Sequence, residues 1–298
     1  MIYNSILDTI GNTPMVRINK MNPNPAVELY AKVEGFNPTG SIKDRIALKM
    51  IEQAEAEGSL TPDKIIIEAT SGNTGIGLAM IGTVKGYKVQ IVMSEAVSIE
   101  RQKMIKAFGC EILLTPAALG TDGAIMKTAE LVEANPDKYF NPNQFSNIYN
   151  KIAHYKTTAE EIWEQTQGRV THFVSALGTS GTLMGVGRGL REHNPQVQII
   201  EAQPVKGHYI QGLKSLEEAI VPEIYDINEI DRSILIETEA AYEMARRIVR
   251  EEGIFVGMSS GAAMLAALQV VENLESGVVV TILPDRGEKY LSTNLFLV

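Results

Sequence analysis

The 298-residue chain contains one cysteine, Cys110. A single thiol can neither close an internal disulfide nor build a multi-thiolate metal site. No apolar run is long enough to cross a bilayer. The N-terminal Met-Ile-Tyr-Asn-Ser-Ile lacks the basic and apolar regions of a signal peptide. These absences lead to the expectation of a cytoplasmic protein without membrane contact. Positive charge is in deficit. A formal net charge of −9 argues against a nucleic-acid surface. It leaves room for a small anionic ligand, because helix N-termini bind phosphate whatever the net charge. The four histidines, His154, His172, His193 and His208, have no metal-ligand spacing, so no metal site is expected. None of the glycine-rich turns is followed by Gly-Lys-Ser/Thr, and none is a strict G-x-G-x-x-G. A Walker loop and a dinucleotide fold are therefore unsupported. Internal repeats and low-complexity linkers are lacking as well.

What is present is the apolar fraction of a globular protein, 45%. The length fits one large domain or two of ordinary size. Short apolar runs at 27–34, 64–68, 89–93, 111–114, 172–177, 197–203 and 278–283 read as strands. Helical spacing marks 41–57, 76–84, 98–108, 121–134, 153–166, 239–252 and 262–271, and a further helix opens after 178–182. The stretches 141–149 and 204–233 read as polar and loop-rich. Such βα alternation implies mostly parallel sheets covered by helices. The fold class expected is α/β, with two lobes and a cleft between them.

The stretch Asn37-Pro-Thr-Gly-Ser-Ile-Lys-Asp-Arg45 ends one strand and opens a helix. Ser41 can act as its N-cap. Lys43 then lies in the first turn, where the helix dipole disfavours a cation and favours the free amine that forms Schiff bases. By itself a lysine at a helix start is usually a solvated surface residue. Three Gly/Ser/Thr-rich turns, 70–75, 178–182 and 257–261, also sit between strand and helix. Each offers free backbone N–H groups and hydroxyls, a ready anion site. In open α/β sheets such turns line the crevice at the carboxyl ends of the strands. Together they suggest a carboxylate site, a phosphate site and an amine.

The motifs Pro38-Thr-Gly-Ser-Ile-Lys-Asp-Arg45, Thr70-Ser-Gly-Asn-Thr-Gly75, Gly178-Thr-Ser-Gly-Thr182 and Gly257-Met-Ser-Ser-Gly-Ala262 resemble the signatures of fold-type II pyridoxal-phosphate enzymes. Within that group the chain resembles the cysteine synthases (O-acetylserine sulfhydrylases), above all the B isozyme. Gly11-Asn-Thr-Pro14, Ala153-His-Tyr155, Thr171-His-Phe-Val174 and the run from Asp285 to Thr293 fit as well. The resemblance covers nearly the whole chain in the expected order. It implies a tryptophan-synthase-β-like fold of two three-layer α/β/α lobes. Residues 42–148 would form a smaller mobile N-terminal lobe, and 1–41 with 149–298 a larger lobe that binds the cofactor phosphate. It also implies a homodimer.

The same resemblance assigns roles. Lys43 would hold pyridoxal 5′-phosphate as a Schiff base and act as general base. Gly178, Thr179, Ser180, Gly181 and Thr182 would cradle the phosphate. Asn73 would bond the ring hydroxyl, and Ser259 would meet the pyridine nitrogen. Thr70, Ser71, Asn73 and Thr74 would bind the substrate carboxylate, with Gln144 closing over it. The reaction implied is β-replacement of the acetoxy group of O-acetyl-L-serine by sulfide or thiosulfate, through an α-aminoacrylate, giving L-cysteine. Lys214 lies where some relatives put an arginine that favours O-phosphoserine, so that donor stays open, as do cystathionine β-synthase or serine dehydratase chemistry on the same scaffold. Ser180 stands where many relatives have Gly or Thr. Pro284 stands where the B isozyme carries a cysteine, so no thiol role passes to this chain.

Overall fold

A computed structural model describes residues 2–296. Two sheets organise it. The larger joins both ends of the chain: β1 (Met15–Arg17), β2 (Val27–Val33), β7 (His172–Ala176), β8 (Gln198–Pro204), β9 (Arg232–Ile236) and β10 (Gly277–Leu283). Their order is β1-β2-β10-β7-β8-β9, parallel except for the antiparallel edge strand β1. The smaller is wholly parallel, in the order β5-β4-β3-β6, from β3 (Ile65–Ala69), β4 (Lys88–Ser94), β5 (Glu111–Thr115) and β6 (Tyr139–Phe140).

Continuous apolar runs become strands here because both sheet faces are covered. On β10, Val279 and Leu283 enter one core cluster while Val280 and Ile282 enter another. On β3, Ile66 faces one cluster, and Ile67 with Ala69 the other. This period of two, buried on both sides, is the three-layer α/β/α arrangement expected of each lobe. The covering helices are α1 (Lys43–Ala56), α2 (Asn73–Lys85), α3 (Ile99–Ala107), α4 (Gly120–Ala134), α5 (Ile148–Ala153), α6 (Ala159–Gln165), α7 (Gly181–His193), α8 (Thr238–Arg247) and α9 (Met258–Glu272).

Three details depart from the sequence reading. The 204–233 stretch, expected to be loop-rich, runs into edge strand β9, where only Ile234 and Ile236 are buried. The polar 141–149 stretch already contains the start of α5, capped by Asn147, whose Oδ1 accepts the Tyr149 N–H at 2.9 Å. The single helix expected over 153–166 is instead interrupted by a π turn, His154–Thr158, before α6. Such turns often mark functional sites, and this one carries His154 to the end of the 178–182 turn.

Candidate active site

Lys43 is the first residue of α1. The cap position is Ile42, one residue past Ser41, but Ser41 Oγ accepts a first-turn N–H as expected, that of Lys43 at 3.2 Å. The Ile42 N–H donates to the Pro284 carbonyl at 2.9 Å, and Ser41 bridges to Asp285. The lysine is thereby fastened beside the carboxyl end of β10. Its amine is pushed down to about 8, chiefly by burial, with the Asp285 carboxylate pulling the other way. Burial thus joins the helix start read from the sequence as a reason for the lowered amine.

The turn after β7 is built tightly. A Cβ on Gly178 would lie 2.7 Å from the Gly212 carbonyl, and one on Gly181 would lie 1.9 Å from Asn150 Oδ1. Ser180 has φ +66°, the left-handed region that side chains disfavour, and its buried Oγ has no partner. Thr179 Oγ1 accepts from Asn150 Nδ2 at 2.9 Å, and Thr182 Oγ1 lies 3.3 Å from His154 Nε2. Burial holds His154 well below the usual imidazole range, so the ring is neutral; its Nδ1 pairs with Thr158 Oγ1 at 2.9 Å.

The turn after β3 is braced differently. Thr70 Oγ1 accepts the Gly72 N–H at 3.0 Å. Thr74 donates to Gln144 Oε1 at 2.6 Å, and Gln144 Nε2 donates to the Ala69 carbonyl at 3.0 Å. Asn73 is held at both ends of its amide. Nδ2 donates to Asp285 Oδ2 at 2.7 Å, and Oδ1 accepts from Lys289 Nζ at 2.9 Å. Asp285 also accepts from the Tyr290 hydroxyl at 2.8 Å and pairs with Arg101 at 3.3 Å.

These residues meet on one cleft between the two sheets. Lys43, Thr70, Ser71, Asn73, Thr74, Gln144, Gly178, Thr179, Thr182, Lys214 and Ser259 all line it. Ser180 and Gly181 belong to the same turn as Gly178, Thr179 and Thr182 but are not themselves lining residues. The cleft's charged lining residues, among those described, are Lys43, Arg101 and Lys214, with no carboxylate. Lys214 is not a solvated surface lysine. It is one-tenth exposed, pairs with Asp122 at 3.4 Å, donates to the Ile220 carbonyl at 3.2 Å and lies over the Phe145 ring.

Sequence reading missed Arg101, Asp285, Lys289, Glu68 and Asn150 as site residues. One signal for Arg101 existed: it stands four residues before Ile105, and the two form the buried face of α3. Asp285 stands two residues past the end of the buried strand β10, which in a parallel sheet means the crevice side.

This fold and cleft define a class, and the chain belongs to the pyridoxal-phosphate dependent enzyme family, whose sequence model matches residues 6–285. It is similar to the cysteine synthase of Aquifex aeolicus, 49% identical over 98% of this chain and 92% of that one. It is also similar to cysteine synthase B of Pseudomonas aeruginosa, 44% identical over 99% of this chain and 98% of the relative. The crystal structure of a cysteine synthase from Entamoeba histolytica superposes with a TM-score of 0.93 at 43% identity, covering 100% of this chain and 92% of that one. The likeness to cysteine synthases thus extends over nearly the full length, and the fold-type II architecture is shared. Among the described residues no helix is long and apolar enough to cross a membrane.

Proposed function

We propose that the protein makes L-cysteine by β-replacement, exchanging the acetoxy group of O-acetyl-L-serine for sulfide, with thiosulfate as a second candidate donor. The observation that carries this reading is the meeting of Lys43 with the 70–74 turn, the 178–182 turn and Ser259 on one cleft whose charged lining residues are all cationic. A cofactor phosphate, a substrate carboxylate and a hydrosulfide nucleophile are all anions, and such a lining favours each.

The residues fit pyridoxal 5′-phosphate. Ser180 offers a buried hydroxyl without a partner at the N-terminus of α7, and the adjoining glycines leave no room for side chains. Lys43 would hold the aldehyde through its amine, and residues 178–182 the phosphate. Asn73 would meet the ring hydroxyl, and Ser259 the pyridine nitrogen. When bound, the cofactor draws electrons from the amino acid's Cα, which makes loss of the α-proton and of the β-substituent accessible.

The remaining work falls to the chain. The N–H groups at the start of α2, with the Gln144 amide, bind and orient the substrate carboxylate. The Thr74 hydroxyl is engaged by Gln144, so backbone donors carry more of this task than hydroxyls. Lys43, with its amine near 8, takes the proton at Cα and later returns it. The cross-cleft bonds from Asn73 and Arg101 to Asp285 support a closing motion of residues 42–148 that excludes water. A homodimer and a cytoplasmic location remain part of this reading.

The neutral acetyl ester is preferred over O-phosphoserine because the Lys214 ammonium is already held by Asp122 and the Ile220 carbonyl. A phosphorylated donor would have to draw it away. The test is cysteine formation from each donor with sulfide, using the cofactor-loaded protein. Turnover with O-acetylserine at least about tenfold above O-phosphoserine in kcat/KM is expected, since one charge-assisted contact is worth about that much. Absence of cysteine with both donors would sink the proposal.

A further inference from the structure

Glu68 lies on β3, immediately ahead of the 70–74 turn, and is buried. No cation pairs with it among the described residues; its carboxyl is pushed up to about 8 by burial, opposed by hydrogen bonds from the 143–144 turn. An unpaired acid in a protein interior is costly, and the proposed chemistry does not use this one. Its two oxygens are spent on backbone. Oε2 accepts the Asn143 N–H at 2.8 Å, a donor shared with Asn141 Oδ1 at 3.0 Å, and Oε1 accepts the Gln144 N–H at 3.3 Å. Asn143 has φ +49°, a left-handed kink. The kink sends the Gln144 side chain back to Thr74 and Ala69. The Gln144 carbonyl accepts from Asn150 Nδ2 at 2.7 Å, and the same amide reaches Thr179 of the other turn.

We propose that Glu68 is a positioning residue for the substrate-carboxylate site: by clamping the backbone N–H groups of Asn143 and Gln144, it fixes the Gln144 carboxamide against Thr74. The inference rests on reading the 70–74 turn as the carboxylate site. Two converging N–H donors need two acceptors. The ionised carboxyl, populated as pH rises through about 8, has two, whereas an amide of the same shape has one and turns its own N–H₂ toward a donor. Glu68→Gln therefore keeps the volume and breaks one arm of the clamp.

The test has two stages. In the cofactor-free protein, hydrogen exchange is followed across 141–147 at about pH 9, above the point near 8 where Glu68 ionises. Glu68→Gln should speed exchange at Asn143 and Gln144 by about tenfold or more, the worth of a buried hydrogen bond, while the β3 amides keep their protection. In the cofactor-loaded protein, Glu68→Gln should raise KM for O-acetylserine about tenfold with kcat changed less than about threefold. Gln144→Ala should raise KM equally while Asn143 exchanges as in the wild type. The double variant should be no worse than either single one, because both act through one contact. Unchanged exchange at Asn143 and Gln144, or additive losses in the double variant, would overturn the proposal. Should Glu68→Gln fail to fold, an unchanged KM in Gln144→Ala overturns it alone. If the wild-type protein makes no cysteine, the reading of function fails instead, and the exchange result still judges the clamp.

Discussion

The turns after β3 and β7 look alike in sequence, Thr-Ser-Gly-Asn-Thr and Gly-Thr-Ser-Gly-Thr, and both open a helix at the cleft. Thr179 and Thr182 of the second turn bond to Asn150 and His154, and the two turns part at the residues between. In the first, the Thr70 and Thr74 hydroxyls and both ends of the Asn73 amide bond to the protein itself, and the partners of Thr74 and Asn73 lie outside the turn: Gln144, Asp285 and Lys289. In the second, Ser180 keeps an unpartnered buried hydroxyl on a backbone held at φ +66°, while Asn150 leaves no space at Gly181. Strain and unmet polarity in a turn that cannot yield suit a permanent guest. A turn whose bonds are satisfied across the cleft suits a guest that comes and goes and must trade those bonds for its own.

Lys43 stands between the two turns, and its titration gives the largest effect. Capture of a carbonyl needs the neutral amine. With the amine near 8, uptake of pyridoxal phosphate by cofactor-free protein should rise about tenfold per pH unit below 8 and level off above it. An ordinary lysine, at 10.5, would still be climbing at pH 10. Lys289 is lowered to about 8 as well, so the profile is repeated in Lys289→Arg, which stays charged throughout. A rate still climbing at pH 10 in both proteins would show that burial does not tune Lys43. The sign for stability follows from the same shift. Between about 8 and 10.5 the unfolded chain binds the proton that the folded chain has lost, so cofactor-free protein gains stability as pH rises through that window.

The next effect separates the turns directly. Gly181→Ala drives a Cβ into Asn150 and should weaken cofactor affinity by about 10- to 100-fold, the price of 1–3 kcal/mol of overpacking. Thr74→Val removes the hydroxyl that Gln144 accepts. It should raise KM for the amino acid about tenfold while leaving cofactor affinity within about twofold. Equilibrium titration of cofactor and steady-state kinetics on both variants check this. If both move the same constant, the division of labour between the turns is wrong.

Much of this was legible in the sequence because it is local. A strand buried on both faces needs a continuous apolar run, as in Val278 to Leu283, and a βα turn with glycine and hydroxyls announces its N–H groups without knowledge of the rest. The place of Lys43 at the start of a helix was legible for the same reason. What could not be read depends on pairing or on distance. β6 is two residues long and exists only because β3 lies beside it. The start of α5 is hidden among asparagines, one of which is its cap. Arg101 and Asn73 reach Asp285 and Lys289 across separations of 184 to 216 residues, and no local pattern records such a meeting. The burial that lowers the Lys43 amine was out of reach in the same way, since burial is a tertiary property while a helix start is a local one.

The smallest effect tests what Ser180 is for. A side chain in the left-handed region costs about 1–2 kcal/mol, and an unmet buried hydroxyl adds a further about 1–3 kcal/mol. Ser180→Gly removes both costs and gives back about 0.4–1 kcal/mol through the greater freedom of the unfolded chain. The cofactor-free variant should therefore melt a few degrees higher than the wild type. Loading with pyridoxal phosphate should shrink or reverse that gain, because the wild-type hydroxyl then finds its acceptor, and cofactor affinity should be about 5- to 10-fold weaker in the variant. The matching change in the other turn, Ser71→Gly, meets no positive φ and should give no gain in the cofactor-free form. If Ser180→Gly lowers the melting temperature without cofactor, or binds the cofactor as tightly as the wild type, then Ser180 is not strained in readiness for a phosphate. The contrast between the two turns would then reduce to the close packing of Gly181.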